Sequence, residues 1–275
     1  MILKSRFFAW LTCACLVLCC SQALSFGAQG HRIVVAIAEN HISPKTAAAI
    51  KDITADTDLG KLSVWPDTIR HLPAWEQSRY WHYISIDDHE QFSGLERHSE
   101  GDLLSALDYF YTQLQNPDLD EREQREALAF LIHFVADIHQ PLHVGRRDDR
   151  GGNRIKVTWP GHRATTNLHR VWDSLLLDLE SKSALEFSRQ LDKVSNQQIA
   201  QSQIASVLDW AKESKALRTQ VYSFSPTTQS QRISITQSYI DRSQPIIERR
   251  LLMAGVRLAA CLNRLFDPLS QGQKQ

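Results

Sequence analysis

The chain has 275 residues, of which 43% are hydrophobic and 23% are charged. This balance is typical of a globular protein and excludes collagen-like, coiled-coil and largely disordered chains. The 31 basic and 31 acidic side chains cancel, which excludes a strongly basic protein that coats nucleic-acid duplexes. All 11 histidines lie between positions 31 and 169, so we expect the chemistry before residue 174.

Residues 1–25 have the pattern of a secretory signal peptide. A short basic start is followed by an apolar run over residues 7–20, and Ala23 and Ser25 supply small side chains at the −3 and −1 positions of a cleavage site. The apolar run is short for a membrane span. We therefore expect cleavage after Ser25 and an exported mature chain over residues 26–275, in the periplasm or secreted.

Removal of this segment also removes four of the five cysteines and leaves Cys261, so no intramolecular disulfide is expected. A lipid-modified cysteine is the alternative, but Leu18 and Cys19 stand before the candidate cysteines, where a small residue is usual. Loss of Lys4 and Arg6 reduces the 31 basic side chains to 29, against 31 acidic ones. Any bound polyanion is therefore expected to be held by something other than a basic surface.

The mature chain is predicted to be a mostly helical, all-α single domain with a short β-hairpin near residues 153–160. Apolar residues recur at helical spacing along most of it, with a polar break around residues 223–230. The strongest candidate helix spans residues 121–140 and is ended by Pro141. The β-branched alternation over residues 155–158 favours the hairpin. The other helical stretches include residues 33–38 and 103–114, and helical spacing resumes from residue 167.

Histidine and aspartate side chains recur at a spacing that suits metal binding. His133 and Asp137 stand four residues apart on the strongest candidate helix, so both project from one face. His169 and Asp173 repeat this spacing at the start of another helix. Because the helix around His133 is otherwise apolar, unpaired burial of these groups would be costly, and a bound cation removes that cost. The proline that ends the helix lets the chain turn back and aim His143 at the same place.

The remaining candidates have simpler readings when each is taken alone. Asp67 is typical of a helix N-cap, and His82 of a core histidine. His31 follows a glycine at the opening of the first helix. His139 points away from the histidine and aspartate face, so we expect it either to support the metal ligands or to hydrogen-bond to the backbone, rather than to be a ligand. Five histidines without a spacing partner are expected on the surface: His41, His71, His89, His98 and His162.

Together, the motifs resemble the zinc-dependent, single-strand-specific nucleases of the mung bean nuclease type, which are also 3′-nucleotidases. The resemblance covers essentially the whole mature chain and is carried by ordered motifs: Phe26-Gly-Ala-Gln-Gly-His31, Trp65-Pro-Asp67-x-x-Arg70, His82-Tyr83, His133-x-x-x-Asp137-x-His-Gln-Pro-Leu-His143, Asp149-x-Gly-Gly-Asn153 and Asn167-Leu-His169-x-x-Trp-Asp173.

This resemblance implies a mostly α-helical nuclease domain over residues 26–275 with a cleft that holds three zinc ions. It implies hydrolysis of single-stranded RNA and DNA to 5′-phosphorylated products, and removal of phosphate from 3′-nucleotides. The implied ligands are Asp67, His82, His133 and Asp137 for one ion, the amino nitrogen and carbonyl oxygen of Phe26 with His31 and the bridging Asp137 for a second, and His143, His169 and Asp173 for a third. The implied catalytic residues are Arg70, Asn153 and Asp137, and the implied substrate-binding residues are Tyr83, Ser85 and Asn153.

Two positions depart from the pattern of that family. The mature chain would begin with Phe26 where the family usually has tryptophan, but its ligand atoms belong to the backbone. Ser85 stands where the family commonly has an acidic residue that reads the base, which leaves Asp87 or Asp88 as a candidate substitute. Tyr83 keeps an aromatic ring for stacking on the base.

Two alternatives remain open at this point. A zinc-dependent phospholipase C resembles the family in fold and in its three-zinc site, and a non-catalytic exported zinc-binding protein would use the same ligands. Tyr83 and the loop of Asn153 favour nucleotides over lipids. The sequence has no evident basic amphipathic helix, so we expect no stable membrane association, and we expect a monomer.

Overall fold

The computed structural model describes residues 27–224 and 233–268, and its fold is mostly helical. The predicted fold class is therefore confirmed. The predicted signal peptide and Phe26 lie outside the described residues. In the part of the chain that is described, every helix is too short or too polar to cross a membrane.

Eleven α-helices are present in the described residues, together with short 3₁₀ and π turns. The α-helices are α1 (Gly27–Glu39), α2 (Pro44–Thr54), α3 (Leu59–Leu62), α4 (Trp65–Ile69), α5 (Leu103–Gln113), α6 (Glu121–Asp137), α7 (Leu168–Arg170), α8 (Ala184–Leu191), α9 (Asn196–Ile204), α10 (Val207–Val221) and α11 (Gln237–Phe266). The 3₁₀ turns span Pro73–Tyr80 and Pro141–His143, and the π turn spans Val171–Leu175.

Helix α6 lies in the middle of the core. Asp120 caps its N-terminus by accepting a 2.7 Å hydrogen bond from the backbone N–H of Glu123. Every residue from Ala127 to Asp137 is buried, and α1, α2, α4, α5 and α11 surround the helix. The helix ends three residues earlier than predicted, because Gln140 adopts the extended backbone that the residue before Pro141 requires.

Helix α1 is fixed against the C-terminal helix α11. A Cβ at Gly255 of α11 would lie 2.5 Å from the Cβ of Ile37, so only glycine permits this approach of the two helices. Ile33, Val34 and Ile37 of α1 are completely buried, as their helical spacing predicted. The packing sets the position of His31, which lies on the same helix.

Five short strands complete the described fold: β1 (Ile84–Ser85), β2 (Val144–Gly145), β3 (Lys156–Thr158), β4 (Thr165–Asn167) and β5 (Ile233–Ser234). Strands β3 and β4 form the predicted antiparallel hairpin, although β4 lies beyond the predicted limit of residue 160 because the connection is longer than a tight turn. Strand β5 pairs in parallel with β3. Strands β1 and β2 also pair in parallel, which brings the segment after His82 beside the segment after His143.

Candidate metal centre

Two residues of α6 form the middle of the candidate site. His133 and Asp137 lie one turn apart and are both completely buried, with Nε2 of His133 3.2 Å from Oδ2 of Asp137. Nδ1 of His133 donates a 2.7 Å hydrogen bond to the backbone carbonyl of Ser63. This bond fixes the ring so that Nε2 faces the carboxylate.

Asp67 and His82 approach His133 from two other segments. Oδ1 of Asp67 in α4 lies 3.8 Å from Nε2 of His133 and 3.9 Å from Nδ1 of His82. Nδ1 of His82 lies 3.1 Å from Oδ2 of Asp137. Asp67, His82 and His133 each offer a ligand atom within 4.8 Å of the others, and we name these three residues group one.

Helix α1 adds His31 to the opposite side of His133. The two imidazole rings stack with centroids 3.9 Å apart, and Nε2 of His31 lies 3.4 Å from Oδ1 of Asp137. His31, His133 and Asp137 form group two, which shares His133 with group one. Phe26 lies outside the described residues, but α1 begins at Gly27, one helical turn before His31.

His143, His169 and Asp173 form group three, with ligand atoms again within 4.8 Å of one another. Nε2 of His169 lies 3.0 Å from Oδ2 of Asp173, and Nε2 of His143 lies 3.6 Å from Oδ1. Asp173 belongs to the π turn rather than to the regular helix that its spacing predicted. Single π turns of this kind are frequent at functional sites.

Hydrogen bonds from neighbouring groups orient group three. His143 and His169 each donate from Nδ1 to a backbone carbonyl, at 2.5 and 2.7 Å. Nε2 of Gln140 donates to Oδ1 of Asp173 at 2.6 Å. The spacing of histidines and aspartates along the sequence did not single out Gln140. The only signal for this residue was its position between His139 and Pro141 in the motif.

Buried charges set the electrostatics of the site. Burial alone would raise the pKa of the Asp137 carboxyl, but the imidazoles of His133 and His143 hold that pKa well below its usual range. Burial is also outweighed at Asp173, where His169 and His143 lower the pKa of the carboxyl. Conversely, burial alone would lower the pKa of His143, but Asp137 and Asp173 raise it to about 9. The carboxylates therefore stay ionised and attract cations.

The residues present suit a bound metal ion. Within the described residues, the buried atoms of the site that make no hydrogen bond include Nε2 of His82, Nε2 of His143 and Oδ1 of Asp137. Burial of polar atoms without partners is costly, and a cation that binds them offsets this cost. Imidazole nitrogen with carboxylate oxygen is a donor set that zinc accepts, so the site fits zinc.

A cleft of about 790 Å³ reaches this site and is lined by His82, His143 and His169. All four residues predicted to contact substrate outside the metal ligands also line it: Arg70, Tyr83, Ser85 and Asn153. The guanidinium of Arg70 lies 3.2 Å from the carboxylate of Asp67, and Tyr83 remains 38% exposed. The cleft therefore places polar and aromatic groups beside the candidate metal ligands.

A turn of two glycines shapes the cleft next to Asn153. Gly151 has a φ of +58°, and a Cβ there would lie 2.3 Å from the carbonyl oxygen of Leu142. The buried carboxylate of Asp149 accepts a 2.7 Å hydrogen bond from the N–H of Gly152. Nδ2 of Asn153 donates to a carbonyl of the same turn at 3.0 Å, so the amide has a defined orientation.

Among the described residues, neither Asp87 nor Asp88 takes the place of the missing acid beside Ser85 at the cleft. The carboxylate of Asp87 accepts a hydrogen bond from the backbone of Arg147 at 3.0 Å, and Asp88 pairs with two arginines at 2.6 and 2.7 Å. Neither aspartate is among the described residues that line the cleft. Both are therefore engaged elsewhere, and Ser85 keeps the position next to Tyr83 and the histidines.

Four arginines line the cleft: Arg70, Arg79, Arg147 and Arg150. Three of them pair with nearby carboxylates, Arg70 with Asp67, Arg79 with Glu76 and Arg147 with Glu90. The net charge of the chain did not reveal these arginines, but most of their positive charge is already paired, so the expectation that a polyanion is held by something other than a basic surface stays a prediction. The position of Arg150 directly before the glycine pair was the only available signal.

The histidines outside the three groups divide into surface and structural residues. His71, His89 and His162 are exposed, as expected. His41 is instead partly buried and lies 2.8 Å from the carboxylate of Asp192. His98 is exposed as expected, but it also lines the cleft. The buried ring of His139 donates from Nδ1 to a backbone carbonyl at 2.7 Å, in line with its predicted backbone partner.

A family model described as S1/P1 nuclease matches residues 26–267 of the chain. The chain belongs to the S1/P1 nuclease family. Its sequence is 33% identical to Endonuclease 4 of Arabidopsis thaliana, over 89% of this chain and 90% of that protein. It is also 27% identical to Nuclease S1 of Aspergillus oryzae, over 86% of this chain and 91% of that protein. Its identity to Nuclease P1 of Penicillium citrinum is likewise 27%, over 87% of this chain and 97% of that protein.

Membership of the S1/P1 nuclease family confirms the resemblance that the motifs carried. The predicted enzyme class, a hydrolase that acts on phosphate ester bonds, is confirmed as well. The matched residues, 26–267, include all three groups and the residues that line the cleft.

Proposed function

We propose that this S1/P1 nuclease hydrolyses phosphodiester bonds in single-stranded RNA and DNA, and that it removes phosphate from 3′-nucleotides. The observation that carries the proposal is the clustering of three histidine and aspartate groups beside one cleft, which His82, His143 and His169 line together with arginines. Cations at such a site attract an anionic phosphate and stabilise the charge that develops as its ester bond breaks.

We propose zinc as the resident metal, with three ions. The proposed ligands are Asp67, His82, His133 and Asp137 for the first ion, Phe26, His31 and Asp137 for the second, and His143, His169 and Asp173 for the third. Bound zinc supplies a Lewis acid that polarises a phosphate and lowers the pKa of water. The three groups of ligand atoms, each within 4.8 Å, support this number of ions.

The side chains around the metal ligands would bind and orient the phosphate. The carboxylate of Asp67 holds the guanidinium of Arg70 at the cleft, and the planar guanidinium suits two oxygens of one phosphate. The Asn153 amide supplies a further hydrogen-bond donor at the glycine turn. We therefore propose Arg70 and Asn153 as catalytic residues together with Asp137, which belongs to group two and also faces His82 of group one.

Recognition of the base follows from Tyr83 and Ser85. The exposed ring of Tyr83 can stack on a base of any identity, and this requires a base that is not paired in a duplex. The hydroxyl of Ser85 can both donate and accept a hydrogen bond. Because a hydroxyl discriminates less than a carboxylate, we expect a weak base preference.

We also propose that the protein is exported, to the periplasm or to the exterior, after removal of residues 1–25. The family match begins at residue 26, the first residue of the predicted mature chain. Cleavage at this point would free the amino nitrogen of Phe26, which the proposed second zinc ion requires as a ligand.

The test compares initial rates of the purified mature protein on four substrates, with and without a chelator. We expect chelator-sensitive release from a single-stranded oligonucleotide and from 3′-AMP, slower cleavage of the corresponding duplex, and no measurable hydrolysis of phosphatidylcholine. A large preference for phosphatidylcholine would favour a phospholipase C instead. A zinc-loaded protein that is inactive on all four substrates would favour a non-catalytic zinc-binding protein.

A further inference from the structure

We propose that Tyr80 and His98 form a second nucleobase subsite on the wall of the cleft. The proposal rests on the proposed function, because it assigns a place to a neighbouring nucleotide of the same strand. The rings of Tyr80 and His98 stack with centroids 3.7 Å apart and planes 17° apart. Both residues line the same cleft as Tyr83, which lies three positions after Tyr80 in the chain.

Other contacts already hold the loop that carries His98. The guanidinium of Arg97 forms a two-pronged ion pair with the buried carboxylate of Asp102. The indole N–H of Trp81 donates a 2.7 Å hydrogen bond to the carbonyl of Glu100. Because these contacts close the loop on both sides of His98, its stack on Tyr80 is not needed to fix the backbone.

The ring of His98 is oriented for contact with a ligand. Its Nδ1 accepts a 3.1 Å hydrogen bond from the backbone N–H of Glu100, so the neutral ring carries its proton on Nε2. One face of the ring rests on Tyr80, and the residue is exposed and lines the cleft. We place the second base on the face turned away from Tyr80, since stacking on aromatic side chains is largely independent of sequence.

Two arginines beside the stack favour a nucleotide over an uncharged aromatic ligand. The guanidinium of Arg79 lies 5.9 Å from the centroid of the Tyr80 ring and also pairs with the carboxylate of Glu76 at 2.9 Å, and Arg150 lines the same cleft. Burial and the hydroxyl of Tyr80 raise the pKa of the Tyr83 hydroxyl, while the positive charges of Arg150 and Arg79 lower it. Both arginines and Tyr80 are therefore near the Tyr83 hydroxyl. The phosphate that links a base on Tyr83 to a base on His98 would therefore lie close to two arginines.

The test is steady-state kinetics of the zinc-loaded enzyme with His98→Ala and His98→Phe. The substrates are a 3′-mononucleotide, a dinucleotide with a 3′-terminal phosphate, and a dinucleoside monophosphate. For at least one of the two longer substrates, His98→Ala is expected to raise KM roughly tenfold. His98→Phe keeps an aromatic face, so its KM is expected to stay within about threefold of the wild-type value. The substrate whose KM rises in His98→Ala identifies the side of the first nucleotide on which the second base binds.

An abasic version of the responding substrate tests whether the base itself is recognised. Wild-type enzyme is expected to bind it about as weakly as His98→Ala binds the intact substrate. His162→Ala is the matched control, because His162 is exposed and does not line the cleft among the described residues.

The outcomes separate this inference from the proposed function. Equal KM values for wild type and His98→Ala on both longer substrates would overturn the second subsite and leave the nuclease proposal intact. A parallel loss on the mononucleotide, or a lower melting temperature, would also overturn it, because it would indicate a structural role for His98. A wild-type enzyme inactive on every nucleotide substrate would overturn both proposals.

Discussion

Gln140 and Asp173 are 33 residues apart in the chain, yet Nε2 of Gln140 donates a 2.6 Å hydrogen bond to Oδ1 of Asp173. Oε1 of the same amide accepts a 2.5 Å hydrogen bond from the backbone N–H of Leu142. The amide is thus fixed at both ends and ties the segment after α6 to the π turn. Because hydrogen-bond partners orient metal-binding side chains, Gln140 is a positioning residue for group three.

Gln140→Ala should lower the zinc affinity of group three or kcat/KM by about 10- to 100-fold, since the carboxylate of Asp173 loses its partner. A chelator titration that follows the zinc retained per chain, together with steady-state rates, measures both effects. Gln77→Ala, at an exposed glutamine, is the control and should match the wild type. Unchanged zinc retention and rates in Gln140→Ala would contradict the positioning role.

Asp137→Asn should cost the metal ions of groups one and two and nearly all activity. Oδ1 of Asp137 faces His31, and Oδ2 faces His82 and His133, so an amide nitrogen would replace an oxygen ligand on one side. Elemental analysis gives the zinc content per chain. Asp108→Asn on the exposed face of α5 is the matched control. Full zinc content in Asp137→Asn would rule out the bridging role.

Local patterns in the sequence were sufficient to predict the elements that carry the site. The apolar stretch of α6 and the four-residue spacing of His133 and Asp137 depend only on helical geometry, and both are present in the structure. The same holds for the buried stripe of α1. These features are determined by neighbours along the chain, so periodicity applies to them.

Most features that escaped prediction depend on contacts between distant segments. The bond from Gln140 and the stack of His98 on Tyr80 each join residues from different elements. The π turn at Asp173 is local, but the spacing of His169 and Asp173 does not distinguish it from an α-helix. The parallel pairing of β1 with β2 is also non-local, and two-residue strands leave no alternating pattern. The predicted helix α6 was three residues too long, because the prediction extended it to the residue before Pro141. In the structure, the backbone has already left the helical conformation at Gln140.

One added alanine before Phe26 of the mature protein should remove one of three zinc ions. The added residue displaces the free amino group from the position that the proposed second ion requires, while the side chains of groups one and three are unaffected. Elemental analysis with sequencing of the mature N-terminus tests this expectation, and Phe26→Tyr, which keeps the backbone ligands, is the control. Unchanged stoichiometry would refute the terminal amine as a ligand.

His139 makes stability depend on pH. Burial first, and then the charges of Arg250 and Arg257, lower the pKa of His139 well below its usual value. The ring is neutral in the fold, where Nε2 accepts a 2.9 Å hydrogen bond from Arg257. The unfolded chain binds a proton below a pH of about 6.5, so it gains protons relative to the fold as the pH falls. The contribution of His139 to stability is therefore complete above that pH and is lost progressively below it.

His139→Gln should be less stable than the wild type near neutral pH, because it gives up buried hydrogen bonds, but its stability should fall less steeply between pH 7 and about pH 5. Melting temperatures of the zinc-loaded proteins across this interval measure the two slopes. His71→Gln, at an exposed histidine, should keep the wild-type slope. Parallel slopes for wild type and His139→Gln would show that His139 does not contribute.

Gly151→Ala should destabilise the protein more than Gly161→Ala, although both glycines have a positive φ. At Gly161 a Cβ meets no atom within 4 Å, so alanine costs only the strained backbone, about 1–2 kcal/mol. At Gly151 the Cβ would lie 2.3 Å from the carbonyl oxygen of Leu142, which is backbone and must move, at a further cost of ~1–3 kcal/mol. Urea unfolding gives the free energy of unfolding of both variants, and equal losses would show that the turn adjusts to the added Cβ without strain.

Because Leu142 lies between Gln140 and His143, Gly151→Ala should also lower kcat, whereas Gly161→Ala should leave kcat unchanged.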